Sequence, residues 1–465
     1  MSNTITLREF DRITCDKSKK GDPVYHVIDK INFDSLVSFI REYESSSNEC
    51  DKDVLFNLYY KKGDTVSIHG YVGVISLPNG FQIEILPKVA LSVLDSSDSE
   101  DESIQKTRLI FLKMLSYINY FPKSFRTASL SSKKMNIFEI FIKIFIEACW
   151  SLVKKGIASA YICTEDNISF YKGKLLVSEH INHNAFRKNK FYMEFDSFEH
   201  NRAENRLIKS TLLKLMRFTN SNENSKQIKQ LLSYFDNVEE SVNYDQDFSK
   251  VIIDRNTTSY SDLLSWSAIF LKDQSFTMFT GKTNAKALLF KMDKIFESFV
   301  AAFLKRQFSY ETDITVSVQD KGKSLLVEKT SDGKNKIFKL KPDIVIKDSQ
   351  RNPLMILDTK WKELSLKEYN YGISQDDMYQ MYAYSKRYNS NNVCVIYPVF
   401  SDYASQEEKK CIKLKSLISG DYNKGLSLQI RILLLDMSVI INKSNCEDVY
   451  YFYELANFFE ELDVI

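Results

Sequence analysis

The stretch that decides the fold runs from Lys341 to Lys362 and reads KPDIVIKDSQRNPLMILDTKWK. Two short, apolar, β-branched runs, Ile344–Ile346 and Leu354–Leu357, flank a polar segment at Lys347–Asn352. Runs of this kind mark strands buried on both faces. Pairing them about a turn centred between Gln350 and Arg351 sets Asp343 opposite Asp358. Directly opposed residues share a face, with Cβ atoms roughly 4.5–5.5 Å apart. Lys360 follows Asp358 by two positions, so the strand period keeps it on that face. Facing carboxylates beside a buried hairpin repel one another. A hard divalent cation removes the conflict: Mg²⁺, or Mn²⁺ in its place, takes oxygen ligands and keeps several waters, which leaves room for a phosphate oxygen. With Lys360 positioning the attacking water and offsetting charge at phosphorus, the pattern points to metal-dependent phosphodiester hydrolysis. In the blander reading the two aspartates merely flank turns and Lys360 is a surface lysine; the surrounding sequence weighs against it.

Upstream, Lys286–Arg306 reads as one amphipathic helix, with Met292, Ile295, Phe296, Phe299, Val300 and Phe303 on its apolar face and Glu297 at the edge, within reach of a metal or its water. Three extended runs follow, Ile314–Val318, Leu325–Lys329 and Lys336–Leu340, the last two joined at Asp332-Gly333. Downstream, Ser374-x-x-Asp377 is a capping-box-like helix start. In the helix it opens, Gln380 and Tyr384 stand at i and i+4 on one face. Tyr379, Tyr382 and Tyr388 belong to the same helix, and such tyrosines more often line a core than stack on bases. Lys362 shares the face of Lys360 and reads equally as a phosphate contact or as a solvated lysine.

Further out, residues 1–104 form a β-rich module. Val66–Lys88 alternates through GYVGVISLPNGFQIEILPK, with Asn79-Gly80 as its hairpin turn. The acidic run DSSDSEDE at 95–102 reads as a solvated loop or linker. Residues 105–283 are mainly helical, with a shorter extended stretch at Ile168–Val177 and a polar gap at 220–225 (NSNENS). The most membrane-like run, Ile137–Val153, carries Glu139, Lys143 and Glu147 one turn apart, which marks a polar face on a core helix and is too costly for lipid. The expected fold class is therefore α+β and multidomain: the β-rich module, the helical middle, and a C-terminal α/β core with a mixed sheet over 284–465.

Composition narrows the function. At 465 residues with 44% hydrophobic and 27% charged residues, the chain reads as an ordinary globular protein of two or three domains. A net charge of +2 excludes a whole-surface nucleic-acid binder, so any DNA contact is local or supplied by a partner. Seven scattered cysteines without a CxxC pair exclude a zinc ribbon and a disulfide framework and suit a reducing cytoplasm. The N-terminus, MSNTITLREFDRITCD, lacks a signal pattern, so a cytoplasmic protein with no membrane role is expected. Gly281-Lys282-Thr283 resembles the end of a P-loop, but Phe276 stands where a Walker A loop needs glycine. His180 and His183 have no third ligand at a recognised spacing.

The order helix-Glu, P-D, D-x-K, Q-x-x-x-Y resembles the PD-(D/E)xK nuclease superfamily. More narrowly, the chain resembles the McrC family, the nuclease subunits of 5-methylcytosine restriction systems. The resemblance is carried by GYVG (70–73), IEILPKV (83–89), YKGKL (171–175), NRLIK (205–209), LLFKMDKIFESFV (288–300), LKPDIVI (340–346), LDTKWK (357–362) and DMYQMYAY (377–384). It implies that Asp343 and Asp358 bind the metal, that Lys360 is the catalytic lysine, that Glu297 is an auxiliary acid also serving the metal, and that Gln380 and Tyr384 support them by orienting DNA or the lysine. It further implies an McrB-like hexameric AAA+ GTPase as partner, engaged by the N-terminal part and stimulated by it, with modified double-stranded DNA as substrate in a bacterium or archaeon. One active site cuts one strand, so a double-strand break calls for two nuclease copies brought together. Two other readings stay open: a standalone nuclease of DNA repair or phage defence, and a non-catalytic activator of an AAA+ partner.

Overall fold

The computed structural model describes residues 4–22, 24–46, 56–59, 65–77, 79–88, 100–117, 135–251, 258–271, 277–280, 286–310, 313–330, 333–362, 364, 368–399, 418–421 and 427–437. The chain divides into two compact units, residues 1–119 with 280–465, and residues 120–279.

In the first unit the hairpin forms the middle of a six-stranded mixed sheet. Its order is Thr315–Val318, Ile344–Lys347, Pro353–Thr359, Asn392–Val399, Ser427–Asp436, Ile418–Asp421. The first three strands run antiparallel to one another, whereas Pro353–Thr359, Asn392–Val399 and Ser427–Asp436 run parallel. The helix Gln375–Tyr388 makes the crossover that a parallel pair requires. Its Met381, Tyr384 and Tyr388 bury themselves against Val345, Ile356, Val393, Val395 and Tyr397 of the sheet. The helix Met292–Gln307 packs on Thr315–Val318 and on Pro353–Thr359. Strands Ser324–Thr330 and Gly333–Lys339 make a separate two-stranded ribbon, whose turn residues 331 and 332 lie outside the described residues.

In the N-terminal part the expected hairpin forms, although its strands are buried on both faces and not on alternate residues. Tyr71–Ser76 and Gln82–Leu86 pair antiparallel, with Gly80 at a φ of 82° in the turn, where glycine carries no steric penalty. Three features differ from the sequence reading. Residues 286–291 are a strand paired with Tyr71–Ser76, and the helix begins only at Met292. Ala287, Leu288, Leu289 and Phe290 are all buried, so this strand shows no alternation and blends into the helical pattern after it. The module 1–104 is not purely β: Lys30–Ser46 is a helix that buries Phe33, Leu36, Phe39 and Ile40. The acidic run ends inside the helix Glu100–Tyr117, and residues 95–99 lie outside the described residues.

The second unit is mostly helical but also carries a sheet. Ala160–Ile168 and Phe191–Glu199 pair antiparallel along nine residues each, and Lys174–Leu175 adds a short third strand. The expected stretch 168–177 is therefore largely the connection between strands. Gly173 in it has a φ of 77° and its added Cβ would lie 2.3 Å from the Glu194 carbonyl, so only glycine fits. Residues 220–225 are a helix start, not a gap: Ser221 caps the helix Asn222–Ser233 through its side chain. The helix Ile137–Lys155 is a core helix, yet Glu139 is buried, not solvated. Its carboxylate accepts from the N–H groups of Asn220 (2.6 Å) and Ser221 (3.2 Å) and from Thr219 Oγ1 and Asn224 Nδ2 (2.7 Å each). Among the described residues no helix is long and apolar enough to cross a membrane. Residues 281–283 lie outside the described residues. His180 and His183 stack on Phe191 and Tyr192.

Candidate active site

The hairpin register pairs Ile344 with Leu357, Val345 with Ile356 and Ile346 with Met355, so one further step sets Asp343 opposite Asp358. A bulge between Ile346 and Lys347 absorbs Pro353, which has no N–H to give the ladder. The turn is held by Asp348, whose Oδ1 accepts from the Asn352 N–H at 2.7 Å, with Arg351 at a φ of 66°. Asp343, Val345, Ile356 and Asp358 share the face that meets the helix Gln375–Tyr388.

Asp343 Oδ2 accepts from the N–H and from Oγ1 of Thr359, both at 2.8 Å. Lys360 Nζ stands 2.9 Å from Asp358 Oδ2, 3.5 Å from Asp377 Oδ1, and donates to Gln380 Oε1 at 3.1 Å. Gln380 Nε2 in turn donates to the Tyr384 hydroxyl at 2.7 Å, so the helix start capped by Ser374 delivers a relay that aims the lysine. Glu297 is brought to the rim of the same group, but its oxygens are taken by Lys294 Nζ and Gln319 Nε2, both at 2.8 Å. The Gln319 N–H also donates to the Asp343 carbonyl at 2.8 Å. Lys362 is exposed and donates to the Gly372 carbonyl.

The electrostatics follow from burial. Asp343 is pushed up to about 7 by desolvation, with Asp358 and Glu297 adding repulsion against the hydrogen bonds from Thr359. Asp358, only 2% exposed, is also raised, first by burial, with Lys360 pulling it back. For Lys360 burial works downward, but Asp358, Asp377 and Asp343 outweigh it, so the ammonium is held above its ordinary value. It is a fixed cation and no general base. Tyr384 is raised to about 12 by burial and the nearby Asp358, and so remains a neutral hydroxyl.

Asp358 Oδ2 is buried and, despite the nearby ammonium, has no hydrogen bond of acceptable geometry. A buried carboxylate oxygen whose neighbour of opposite charge is the Lys360 ammonium, beside a second carboxylate raised first by burial and then by repulsion, is a donor set suited to a hard divalent cation. Among the described residues no three acidic, histidine or cysteine side chains are gathered as a ready-made cage; Asp343 and Asp358 are the facing pair, and Glu297 stands at their rim with its oxygens on Lys294 and Gln319. Thr359 and Gln319 were not singled out from the sequence, and Asp377 was read there as the N3 acid of the cap at Ser374 and not as a site residue; Thr359 and Gln319 act through contacts that no spacing reveals.

A family model described as a McrBC 5-methylcytosine restriction system component matches residues 66–398, more than two thirds of the chain. Among solved structures, the chain is similar to one in the refined half-complex from a tetradecameric assembly of Thermococcus gammatolerans McrB AAA+ hexamers with bound McrC. That likeness covers 98% of this chain and 100% of the other at 19% identity with a TM-score of 0.68. A chain of the Thermococcus gammatolerans McrBC complex, seen by cryo-electron microscopy, is 20% identical over 67% of this chain and 89% of its own, with a TM-score of 0.48. No curated protein matches the chain.

Proposed function

The chain belongs to the family of McrBC 5-methylcytosine restriction system components, as a McrC-like member, and from that premise we propose that it is the Mg²⁺-dependent DNA endonuclease subunit of such a system, with a PD-(D/E)xK core and an AAA+ GTPase as its motor partner. The observation that carries this reading is the opposition of Asp343 and Asp358 across one hairpin, with Lys360 ion-paired to Asp358 and tethered to Gln380.

Asp343 and Asp358 would hold the metal, which when bound supplies Lewis-acid charge at a phosphate oxygen. Lys360, permanently cationic, hydrogen-bonds the attacking water and offsets the charge that grows on the phosphoryl oxygens. Gln380 and Tyr384 keep the ammonium aimed, and Asp377 balances its charge from the far side. Glu297, clamped by Lys294 and Gln319, adds negative potential at the rim and is suited to holding a water. The partner, not this sheet, would bring the chain to methylated DNA.

The test is cleavage of a methylated duplex by the chain with its GTPase partner, GTP and Mg²⁺. Asp358→Ala abolishes cutting while leaving stimulation of the GTPase intact. Undiminished cutting by that variant would remove the active-site assignment, and cutting by the chain alone would make it a nuclease without a motor.

A further inference from the structure

Immediately before Asp343 the chain builds a feature that the catalytic sheet does not use. Ser324–Thr330 and Gly333–Lys339 pair only with each other, from Ser324 opposite Lys339 to Thr330 opposite Gly333. Leu325 (44% exposed), Leu326 (53%), Val327 (46%) and Phe338 (68%) lie open to solvent. Strand alternation puts Leu325 and Val327 on one face and Leu326 on the other, so neither face is covered. A two-stranded ribbon wet on both sides is marginal by itself, and an exposed apolar strand calls for an occupant. Phe338 adds a second sign: it has a φ of 52°, a strained conformation for an aromatic residue, and strain of this kind gathers at binding sites.

Charge identifies the occupant. Residues 321–341 hold seven lysines (321, 323, 329, 334, 336, 339 and 341) against Glu328 and Asp332, a net of 7 − 2 = +5 in a chain whose total is +2. Lys321, Lys323, Lys336, Lys339 and Lys341 are exposed. A second copy docking ribbon to ribbon would set +5 against +5, which opposes association. A polyanion meets the opposite condition. The ribbon is also rooted at the site: Arg387 Nε donates to the Ser324 carbonyl at 2.6 Å, tying its base to the helix that carries Gln380 and Tyr384, and the Leu340 N–H closes that base on the Lys323 carbonyl at 3.1 Å. Lys341 is two residues from Asp343, at most about 7 Å of chain. Strands of this length span about 23 Å, or roughly seven base pairs at ~3.4 Å each, and a two-stranded ribbon fits a major groove.

We propose that the two strands Ser324–Thr330 and Gly333–Lys339, with the exposed Lys321, Lys323, Lys336, Lys339 and Lys341 on and beside them, are an arm that grips duplex DNA beside the cut, these lysines taking backbone phosphates without regard to sequence. This rests on the nuclease reading above, since it takes the duplex at Asp343 and Asp358 as the substrate that the arm holds.

The test uses the full chain with Asp358→Asn in every arm, so that the DNA survives, and a fluorescent unmodified duplex of about 30 base pairs titrated over a range of NaCl concentrations. Joint substitution of Lys321, Lys323, Lys336 and Lys339 to Ala lowers affinity at least tenfold near 0.1 M salt and flattens the slope of log K against log [salt] by about 3 to 4, at about 0.9 per phosphate released. The matching Lys→Arg variant binds like the parent, which separates charge from folding. An unchanged slope in the Ala variant, or equal loss in the Arg variant, overturns the proposal. So does intact DNA binding with loss of the GTPase partner, which would make the ribbon a protein interface. Cleavage by the Asp358-intact chain reads the other question: cutting with an inert ribbon sinks only the arm, whereas no cutting with a ribbon that binds sinks only the nuclease.

Discussion

Asp343→Asn gives the sharpest test of the electrostatics, because it should stabilise the metal-free protein while destroying the proposed activity. Asp343 ionises at about 7 in the folded chain against 3.8 as its ordinary value, with burial the first cause and Asp358 the second. The folded state thus binds this proton more tightly than the unfolded state does. The resulting penalty is absent below the unfolded value, grows as pH rises through the window between 3.8 and about 7, and is complete above it. At about 1.4 kcal/mol per pH unit the upper bound is about 4 kcal/mol, and partial exposure of the side chain cuts this to about 2 kcal/mol. Asparagine removes the charge and keeps an oxygen to accept from Thr359. In EDTA near pH 8 the variant should melt about 4 °C above wild type, at about 2 °C per kcal/mol for a unit of this size. Near pH 5.5 the gain falls to about half. Adding Mg²⁺ should raise the wild-type melting temperature and leave the variant nearly unmoved, since only the former gains a ligand-linked term. Thermal melting in the four conditions reads all of this. A variant that melts lower than wild type in EDTA near pH 8, or equal Mg²⁺ shifts in both proteins, would refute the account of two repelling carboxylates awaiting a cation.

Two other substitutions probe how the site and its support are built. Gln380→Leu removes the acceptor of Lys360 and the partner of the Tyr384 hydroxyl; single-turnover cleavage should slow by about 10- to 100-fold at unchanged DNA affinity, and an unaltered rate would deny Gln380 its positioning role. Gly73→Ala would place a Cβ 2.0 Å from the Leu288 carbonyl at a φ of +146°, where the strand Tyr71–Ser76 meets Lys286–Lys291; a loss of at least about 3 kcal/mol is expected in urea unfolding, and a near-neutral result would show that the sheet contact is looser than its geometry.

What could be read from the sequence was set by how local each feature is. The hairpin at 344–359 was legible because both strands are apolar, the turn between them is polar, and the register follows from those lengths. The buried strand Lys286–Lys291 was not, because a strand covered on both faces has no alternation to separate it from the helix that follows. The helix Lys30–Ser46 does bear a helical signal, Phe33, Leu36, Phe39 and Ile40, within a module otherwise dominated by β alternation. In the second unit, Ala160–Ile168 and Phe191–Glu199 mix charged and aromatic residues on half-exposed strands, a pattern too weak to stand out among strong helices.

The site divides along the same line. Asp343, Asp358 and Lys360 come from one hairpin and a period of two, and Gln380 with Tyr384 from a period near four, so short-range spacing reaches them. What steadies them is long-range. Trp361, the neighbour of Lys360, packs its ring 5.3 Å from that of Phe296, the neighbour of Glu297, and donates its indole N–H at 3.0 Å to Glu9, 352 positions away in sequence. Glu9 is itself buried and held up to about 7, first by desolvation, although the Lys88 N–H and the Trp361 indole both favour its charged form. A buried acid is an expensive way to fix a tryptophan unless the position of that tryptophan matters. Here it links the residue after Lys360 to the helix that carries Glu297, so the N-terminal strand Thr4–Arg8, which leads directly to Glu9, belongs to the support of the catalytic sheet even though nothing in its own sequence says so.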